Sequence, residues 1–118
     1  MINGFEKLTA ELTQKEINCV DFIVKGLNKK IGREKAVTNE RICKGVKYHL
    51  GIKITSGRMR KIIHHIRINK LVKNLIATSE GYYVATCKEE VIDYIESLTQ
   101  RIKSIESVRS SFELSLFW

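Results

Sequence analysis

The residues of this chain with the clearest capacity for chemistry are its basic side chains. Ten of them follow one another between Glu40 and Glu80, where no carboxylate occurs: Arg41, Lys44, Lys47, Lys53, Arg58, Arg60, Lys61, Arg67, Lys70 and Lys73. A field of one sign attracts polyanions, and nucleic acid is the commonest soluble polyanion. A solvated basic face is the alternative, but the segregation of the charge favours phosphate binding.

The charge of the whole chain is just as uneven. Its 118 residues carry a formal net charge of +8. Residues 1–87 hold 17 basic and 7 acidic side chains, whereas residues 88–118 hold 4 basic and 6 acidic ones.

A hydrophobic content of 43% and the lack of proline indicate one compact domain with an appendage and exclude a disordered, proline-rich chain.

Catalytic and metal-binding chemistry have no comparable signal in the sequence. Paired carboxylates, a nucleophile elbow and a glycine loop that cradles phosphates are all missing. Cys19, Cys43 and Cys87 lack zinc-site spacing, so we interpret them as reduced thiols. His64 and His65 are neighbours that face different directions on a helix, which argues against a metal pair. We expect no enzymatic activity, no cofactor and no metal.

Apolar spacing predicts the elements that must position the basic side chains. The predicted order is a helix from a Thr13–Glu16 capping box to Gly32, a short strand at 36–37, a helix over 39–49, a helix over 57–69, a hairpin with strands at 75–78 and 82–86, and a long helix after a further capping box, Thr86–Glu89. The predicted buried stripes are Ile17, Val20, Val24, Leu27 and Ile31 in the first helix, Ile42, Val46 and Leu50 in the second, and Met59, Ile62, Ile63 and Ile66 in the third.

Three helices followed by a hairpin resemble a winged helix-turn-helix domain. The resemblance is carried by Val37-Thr38-Asn39, Leu50-Gly51-Ile52, the start of the third helix at 56–61, and a wing at 75–86 with a Gly-Tyr-Tyr strand. This pattern is similar to small winged-helix proteins of bacteriophages and mobile elements, some of which act in replication or transcription control. The resemblance implies a mainly α fold with a small β-hairpin and a domain over 13–87 that binds double-stranded DNA.

In a domain of this kind the third helix enters the major groove, where its first residues reach base edges. On that expectation Arg58 and Arg60 read guanine, although each could instead be an ordinary solvated side chain. Further along the outward face lie Lys61, His64 and His65. Thr55 and Ser56 stand at the amide-rich helix start, where a phosphate is welcome. Lys53, Lys70 and Lys73 are placed for backbone phosphates.

The helix at 88–110 carries Val91, Ile95, Leu98, Ile102 and Ile105 at alternating spacings of four and three residues. This spacing is typical of a coiled-coil seam, here over about two heptads. The helix could instead pack on its own domain, but we expect a homodimer.

Two terminal segments flank these elements: an N-terminal arm at 1–12 and an apolar tail at 111–118. Glu113-Leu114-Ser115-Leu116-Phe117 resembles the short bacterial sliding-clamp-binding peptide, with Glu113 where that motif prefers Gln. The resemblance implies partner binding by Leu114, Leu116, Phe117 and Trp118. The alternative is an amphipathic tail that folds back onto the core or onto a partner subunit.

Together these patterns predict a non-enzymatic protein that binds double-stranded DNA, either a phage or mobile-element transcriptional regulator or a replication accessory factor. A protein-interaction module that docks through the winged helix or the tail is the second hypothesis. No apolar run approaches a membrane span and the N-terminus lacks a secretory core, so we expect a cytoplasmic protein.

Overall fold

The structure, a computed structural model, describes residues 11–116. Within that range it contains four α-helices, a 3₁₀ helix and a two-stranded antiparallel hairpin. Their bounds are α1 Gln14–Leu27, the 3₁₀ helix Arg33–Lys35, α2 Asn39–Leu50, α3 Ser56–Ile68, β1 Leu75–Thr78, β2 Gly81–Val84 and α4 Lys88–Ser115. The predicted fold class, mainly α with a small β-hairpin and a long C-terminal helix, is confirmed.

The chain divides into two compact units, Met1–Thr86 and Cys87–Trp118. The first contains α1 to α3 and the hairpin, and the second contains α4. Within the described part of the chain, no helix is both long and apolar enough to cross a membrane.

The core of the first unit is built around α3. All four residues predicted to form its buried stripe, Met59, Ile62, Ile63 and Ile66, are at most 2% exposed. They pack with residues from the other elements of the unit: Cys19, Ile23 and Leu27 of α1, Val46 of α2, and Ile54, Val72 and Leu75. Each such side chain contributes roughly 1.5–3 kcal/mol through removal of apolar surface from water. The burial of one face of α3 therefore determines which of its side chains face outward.

The predicted stripe of α1 is confirmed in part. Leu27 is buried, and Val20 and Val24 are half-buried against the core, but Ile17 and Ile31 are about half exposed. The fully buried positions of the helix are Glu16, Cys19, Ile23 and Leu27. A helix face that includes a glutamate and a cysteine is not recognised by apolar periodicity. The helix also ends at Leu27, well before Gly32. Beyond Asn28, the Lys29 and Lys30 amides donate only three residues back, to Gly26 and Leu27 (3.2 and 2.9 Å).

The bounds of α2 and α3 are set by the residues that cap them. The Thr38 hydroxyl accepts a hydrogen bond from the Arg41 amide at the start of α2 (3.3 Å). Gly51 ends α2 in the left-handed conformation (φ +69°), which glycine adopts without steric cost. The Thr55 hydroxyl accepts from the Arg58 amide at the start of α3 (3.2 Å). These positions agree with the sequence prediction, except that Leu50 is 40% exposed rather than on the inner face.

The hairpin is fastened to the segment before α2. Its strands pair from Leu75 with Val84 to Thr78 with Gly81, which leaves a two-residue turn. Val37 and Tyr82 exchange two backbone hydrogen bonds (3.0 and 2.8 Å), so the predicted short strand occurs as a single bridge. Gly81 is required at this contact: its φ is +122°, and a Cβ there would lie 2.3 Å from the Val37 carbonyl oxygen.

The last helix begins at Lys88 as predicted, but its N-cap and its C-terminal end differ from prediction. Cys87, not Thr86, occupies the N-cap of α4, and it makes no side-chain capping hydrogen bond, so the predicted Thr86–Glu89 capping box is wrong. The helix continues to Ser115, because no glycine or proline interrupts it. The first part of the predicted tail is therefore helical, and Phe117 and Trp118 lie outside the described residues.

Candidate nucleic-acid interface

The outward face of α3 carries several of the predicted site residues. At about 100° per residue, Lys61 and His64 lie opposite the buried stripe and Arg60 lies on one flank. Arg60 and His64 are exposed, and Lys61 is half-buried. At the start of the helix, the Thr55 hydroxyl is already engaged by the Arg58 amide, while the half-buried Ser56 occupies the first helical position.

Arg58 lies on the other flank of α3 and is committed to an ion pair. Its Nη2 is 2.6 Å from Glu16 Oε1 and its Nε is 2.8 Å from Glu16 Oε2, a bidentate arrangement. Nη2 also donates to the Glu11 carbonyl (3.0 Å). The two side chains are only 13% and 7% exposed. This placement removes Arg58 from the predicted base-reading pair, since its guanidinium joins α3 to α1.

Glu16 has two structural roles at once. Besides Arg58, its carboxylate accepts a hydrogen bond from the Thr13 amide (2.8 Å), which completes the predicted capping box of α1. The hydrogen bonds from Arg58 lower the pKa of Glu16 below its ordinary value of 4.5, against the opposing effect of burial. The same contact raises the pKa of Arg58. Both groups are therefore charged at neutral pH and stabilise the packing of α3 on α1.

Arg60 lines a groove between the start of α2, α3 and the hairpin. The groove has a volume of about 330 Å³, and its other lining residues include Thr38, Thr78, Ser79, Gly81, Ala77 and Glu40. The Tyr82 hydroxyl, which also lines it, donates to Asn39 Oδ1 (2.9 Å) and so ties the hairpin to α2. Burial raises the pKa of Tyr82, partly offset by its hydrogen bond to Asn39. The groove thus brings α3 and the hairpin turn to one surface.

A second, more basic concavity lies at the C-terminal end of α3. It has a volume of about 480 Å³ and is lined by His64, Arg67, Ile68, Lys70, Val72, Lys73, Asn74 and Leu75. The structure therefore brings three predicted site residues, His64, Lys70 and Lys73, to one place. Arg67 belongs to the basic run of the sequence but was not among the predicted contact residues.

Of the ten predicted contact residues, six line neither concavity: Thr55, Ser56, Arg58, Lys61, His65 and Lys53. His65 is half-buried, and its Nδ1 lies 3.2 Å from the side-chain nitrogen of Asn69. Lys53 is exposed in the turn between α2 and α3 and lines neither concavity. Neither residue is held against a neighbour in a way that forms a binding site.

The hairpin turn carries a contact that sequence reasoning missed. Glu80, the acidic residue of the turn, lies 3.3 Å from Arg33 in an exposed ion pair. The two residues are 47 positions apart, so no local pattern links them. Arg33 offsets the charge that would oppose a phosphate near the turn.

Comparisons with known proteins leave the family open. No protein-family model matches this chain, and no curated protein or solved structure is detectably similar to it. Within residues 11–116, no group of three or more His, Cys, Asp or Glu side chains is placed to hold a metal ion. Function is therefore inferred from the chemistry of the basic surface.

Proposed function

We propose that this protein binds double-stranded DNA, without catalysing a reaction, through the outer face of α3 and the two concavities beside it. The observation that carries the proposal is that Arg60 and His64 are exposed on α3 and that Lys70 and Lys73 line one concavity together with His64. Among residues 11–116, no carboxylate lies within 4.0 Å of any of these four groups. The charged groups of Arg60, Lys70 and Lys73 are therefore available to neutralise phosphates.

The shape of the unit supports a duplex as the ligand. An α-helix fits the major groove, and α3 presents an outward face because its apolar stripe is buried against α1 and α2. The hairpin follows α3 in the chain and lies beside it across the groove that Arg60 lines. This arrangement is the one that the resemblance to winged-helix proteins of phages and mobile elements implies, and it supports a role in transcription control or replication.

The side chains divide by role in this proposal. Arg60, near the start of α3, has the forked guanidinium that reads guanine in the major groove. Lys70 and Lys73, at the far end, contact backbone phosphates, which position the protein without specifying sequence. Ser56, at the first turn of α3, lies where the amides and dipole of a helix start favour a phosphate.

The test is duplex binding measured by fluorescence anisotropy over a series of salt concentrations. We expect the logarithm of the association constant to fall linearly with the logarithm of the salt concentration, with a slope of about −0.9 for each phosphate contact. Lys70→Ala with Lys73→Ala should reduce that slope by about two and weaken all sequences alike. Lys25→Ala is the charge-matched control, because Lys25 is an exposed partner of Asp21 on α1 (3.1 Å).

Selection of bound duplexes from a random pool would then identify the preferred site. The proposal fails if no duplex binds at low salt, or if Lys25→Ala weakens binding as much as the change of a single lysine at the end of α3. A nuclease assay with magnesium tests the non-catalytic part of the proposal, because cleavage of the bound duplex would contradict it.

A protein-docking function is the second candidate, favoured by the end of α4. Leu114 and Leu116 are 77% and 75% exposed, although the segment that resembles a clamp-binding peptide is helical through Ser115. Leu114→Ala combined with deletion of residues 117–118 separates the two functions. Loss of a captured replication protein with unchanged DNA affinity would favour docking by the tail.

A further inference from the structure

The apolar residues of α4 continue in a single heptad frame beyond the range recognised in the sequence. Spacings of four and three residues run from position 91 to position 116 through Val91, Ile95, Leu98, Ile102, Ile105, Arg109, Phe112 and Leu116. The helix is uninterrupted from Lys88 to Ser115, so almost the whole frame lies on one helix. A seam of nearly four heptads is long enough to specify a coiled coil.

Most of this seam is exposed, although Val91 and Leu98 are half-buried. None of the described side chains of α4 is buried, and Ile102, Ile105 and Phe112 are 58%, 69% and 71% exposed. Ile92 and Val108 flank the seam and widen it, whereas the far side of the helix is polar except for Leu114. An apolar stripe of this length on a helix surface marks an interface.

We propose that a second copy of this chain occupies the seam, so that two α4 helices form a parallel, in-register, two-stranded coiled coil. The charges beside the seam select this partner. With Ile102 at position a of the heptad, Arg101 occupies position g and Glu106 the following position e. In a parallel, in-register pair these positions face each other across the interface, so that each dimer gains two Arg101–Glu106 pairs.

The same charges disfavour the antiparallel arrangement. Antiparallel helices place g opposite g and e opposite e, which would leave Arg101 and Glu106 without complementary partners. Within the chain, no ion pair among residues 11–116 uses either side chain. Their complementarity therefore has a use only between copies.

The residues within the seam agree with two strands. Positions a hold Ile95 and Ile102 and the intervening d position holds Leu98, a combination that favours two-stranded coiled coils. Arg109 is the polar exception at position a, and its guanidinium lies 3.9 Å from Glu113 one turn later. A single polar residue at position a lowers stability but fixes the register of the pair.

This inference concerns the second unit and does not depend on DNA binding. Because Thr86 and Cys87 are consecutive, a parallel pair starts both helices at one end, next to the first unit of each copy. If that unit binds DNA, two linked copies bind a duplex with two sites more tightly than either copy alone.

The first experiment is sedimentation equilibrium of the full chain at about 10 μM without DNA. We expect a dimer for the natural chain and a monomer for Ile102→Asn, which places an amide in the centre of the seam. Ser104→Asn is the matched control, since residue 104 lies on the opposite side of α4, and it should remain a dimer. Circular dichroism shows whether each variant keeps the folded first unit.

The second experiment tests direction and register by charge reversal. Arg101→Glu and Glu106→Arg should each raise the dimer dissociation constant about tenfold, because two attractive pairs become repulsive. The double variant should regain the natural dissociation constant. Restoration within one helix is excluded, since positions five residues apart lie about 140° apart around the helix axis.

A monomeric natural chain, a trimer or larger assembly, or a dimer that is indifferent to both single reversals would each overturn the proposal. These outcomes are distinct from failure of DNA binding, which is measured separately by duplex anisotropy of the full chain.

Discussion

Two arginines separated by one residue on α3 should respond in opposite ways to the same substitution. Arg58 is 13% exposed and bidentate to Glu16, whereas Arg60 is exposed and lines the groove beside the hairpin. We expect Arg58→Ala to destabilise the first unit without affecting DNA binding by the folded protein. Arg60→Ala should weaken DNA binding and leave stability unchanged.

The cost of Arg58→Ala follows from what it leaves behind. Glu16, 7% exposed, would keep only the Thr13 amide as a partner for its carboxylate. Removal of one partner of a buried ion pair lowers the free energy of unfolding by about 3–5 kcal/mol. The loss of stability has an upper limit, because the Glu16 carboxylate can take up a proton instead of staying charged. At pH 7, protonation of a carboxylate with the ordinary pKa of 4.5 costs about 3.4 kcal/mol. We expect a loss of about 3 kcal/mol, which lowers Tm by roughly 15 °C.

The effect of Arg60→Ala depends on its contact. If Arg60 reads a guanine, affinity should fall by about 1–3 kcal/mol and base preference should relax at one position. The free energy of unfolding should change by less than about 0.5 kcal/mol, because an exposed side chain is removed.

Urea unfolding followed by circular dichroism measures the free energy of unfolding of each variant. Duplex anisotropy, at a temperature where each variant is folded, measures its DNA affinity. Glu16→Gln combined with Arg58→Met is the control, because removal of both charges should recover part of the stability lost in Arg58→Ala. The reasoning would be refuted if Arg58→Ala kept its stability and lost DNA affinity, since Arg58 would then act as a surface residue.

Three further predictions concern pH, the hairpin and the thiols. Since Arg58 lowers the pKa of Glu16, the stabilisation from the pair is complete above about pH 4.5 and is lost as pH falls through the lower pKa of the folded state. The free energy of unfolding should thus fall more steeply below pH 4.5 in the natural chain than in Glu16→Gln. Gly81→Ala should cost about 3 kcal/mol in urea unfolding, because φ is positive and the Cβ meets the Val37 carbonyl, and an unchanged midpoint would contradict that contact. Burial raises the pKa of the Cys19 thiol, so Ellman's reagent should modify exposed Cys87 first and Cys19 only on unfolding.

Local patterns were sufficient where structure depends on neighbours in sequence. The caps at Thr38 and Thr55, the left-handed Gly51 and the buried stripe of α3 follow from helix periodicity and from unpaired amides at helix ends. The hairpin follows from β-forming residues on either side of a short turn with glycine. The basic surface itself was also predictable, because a stretch without carboxylates is basic in any fold.

Only the tertiary structure decided the use of each charge. Arg58 and Arg60 look equivalent in the sequence, and the difference between them comes from Glu16, 42 residues away from Arg58. Glu80 likewise meets Arg33 across 47 residues. The pairing of distant charges depends on which helix faces pack together, and one-dimensional periodicity carries no information about packing between elements. The amino-acid sequence by itself therefore determined where positive charge is concentrated. The fold determined which basic side chains form ion pairs within the protein and which are exposed at its surface.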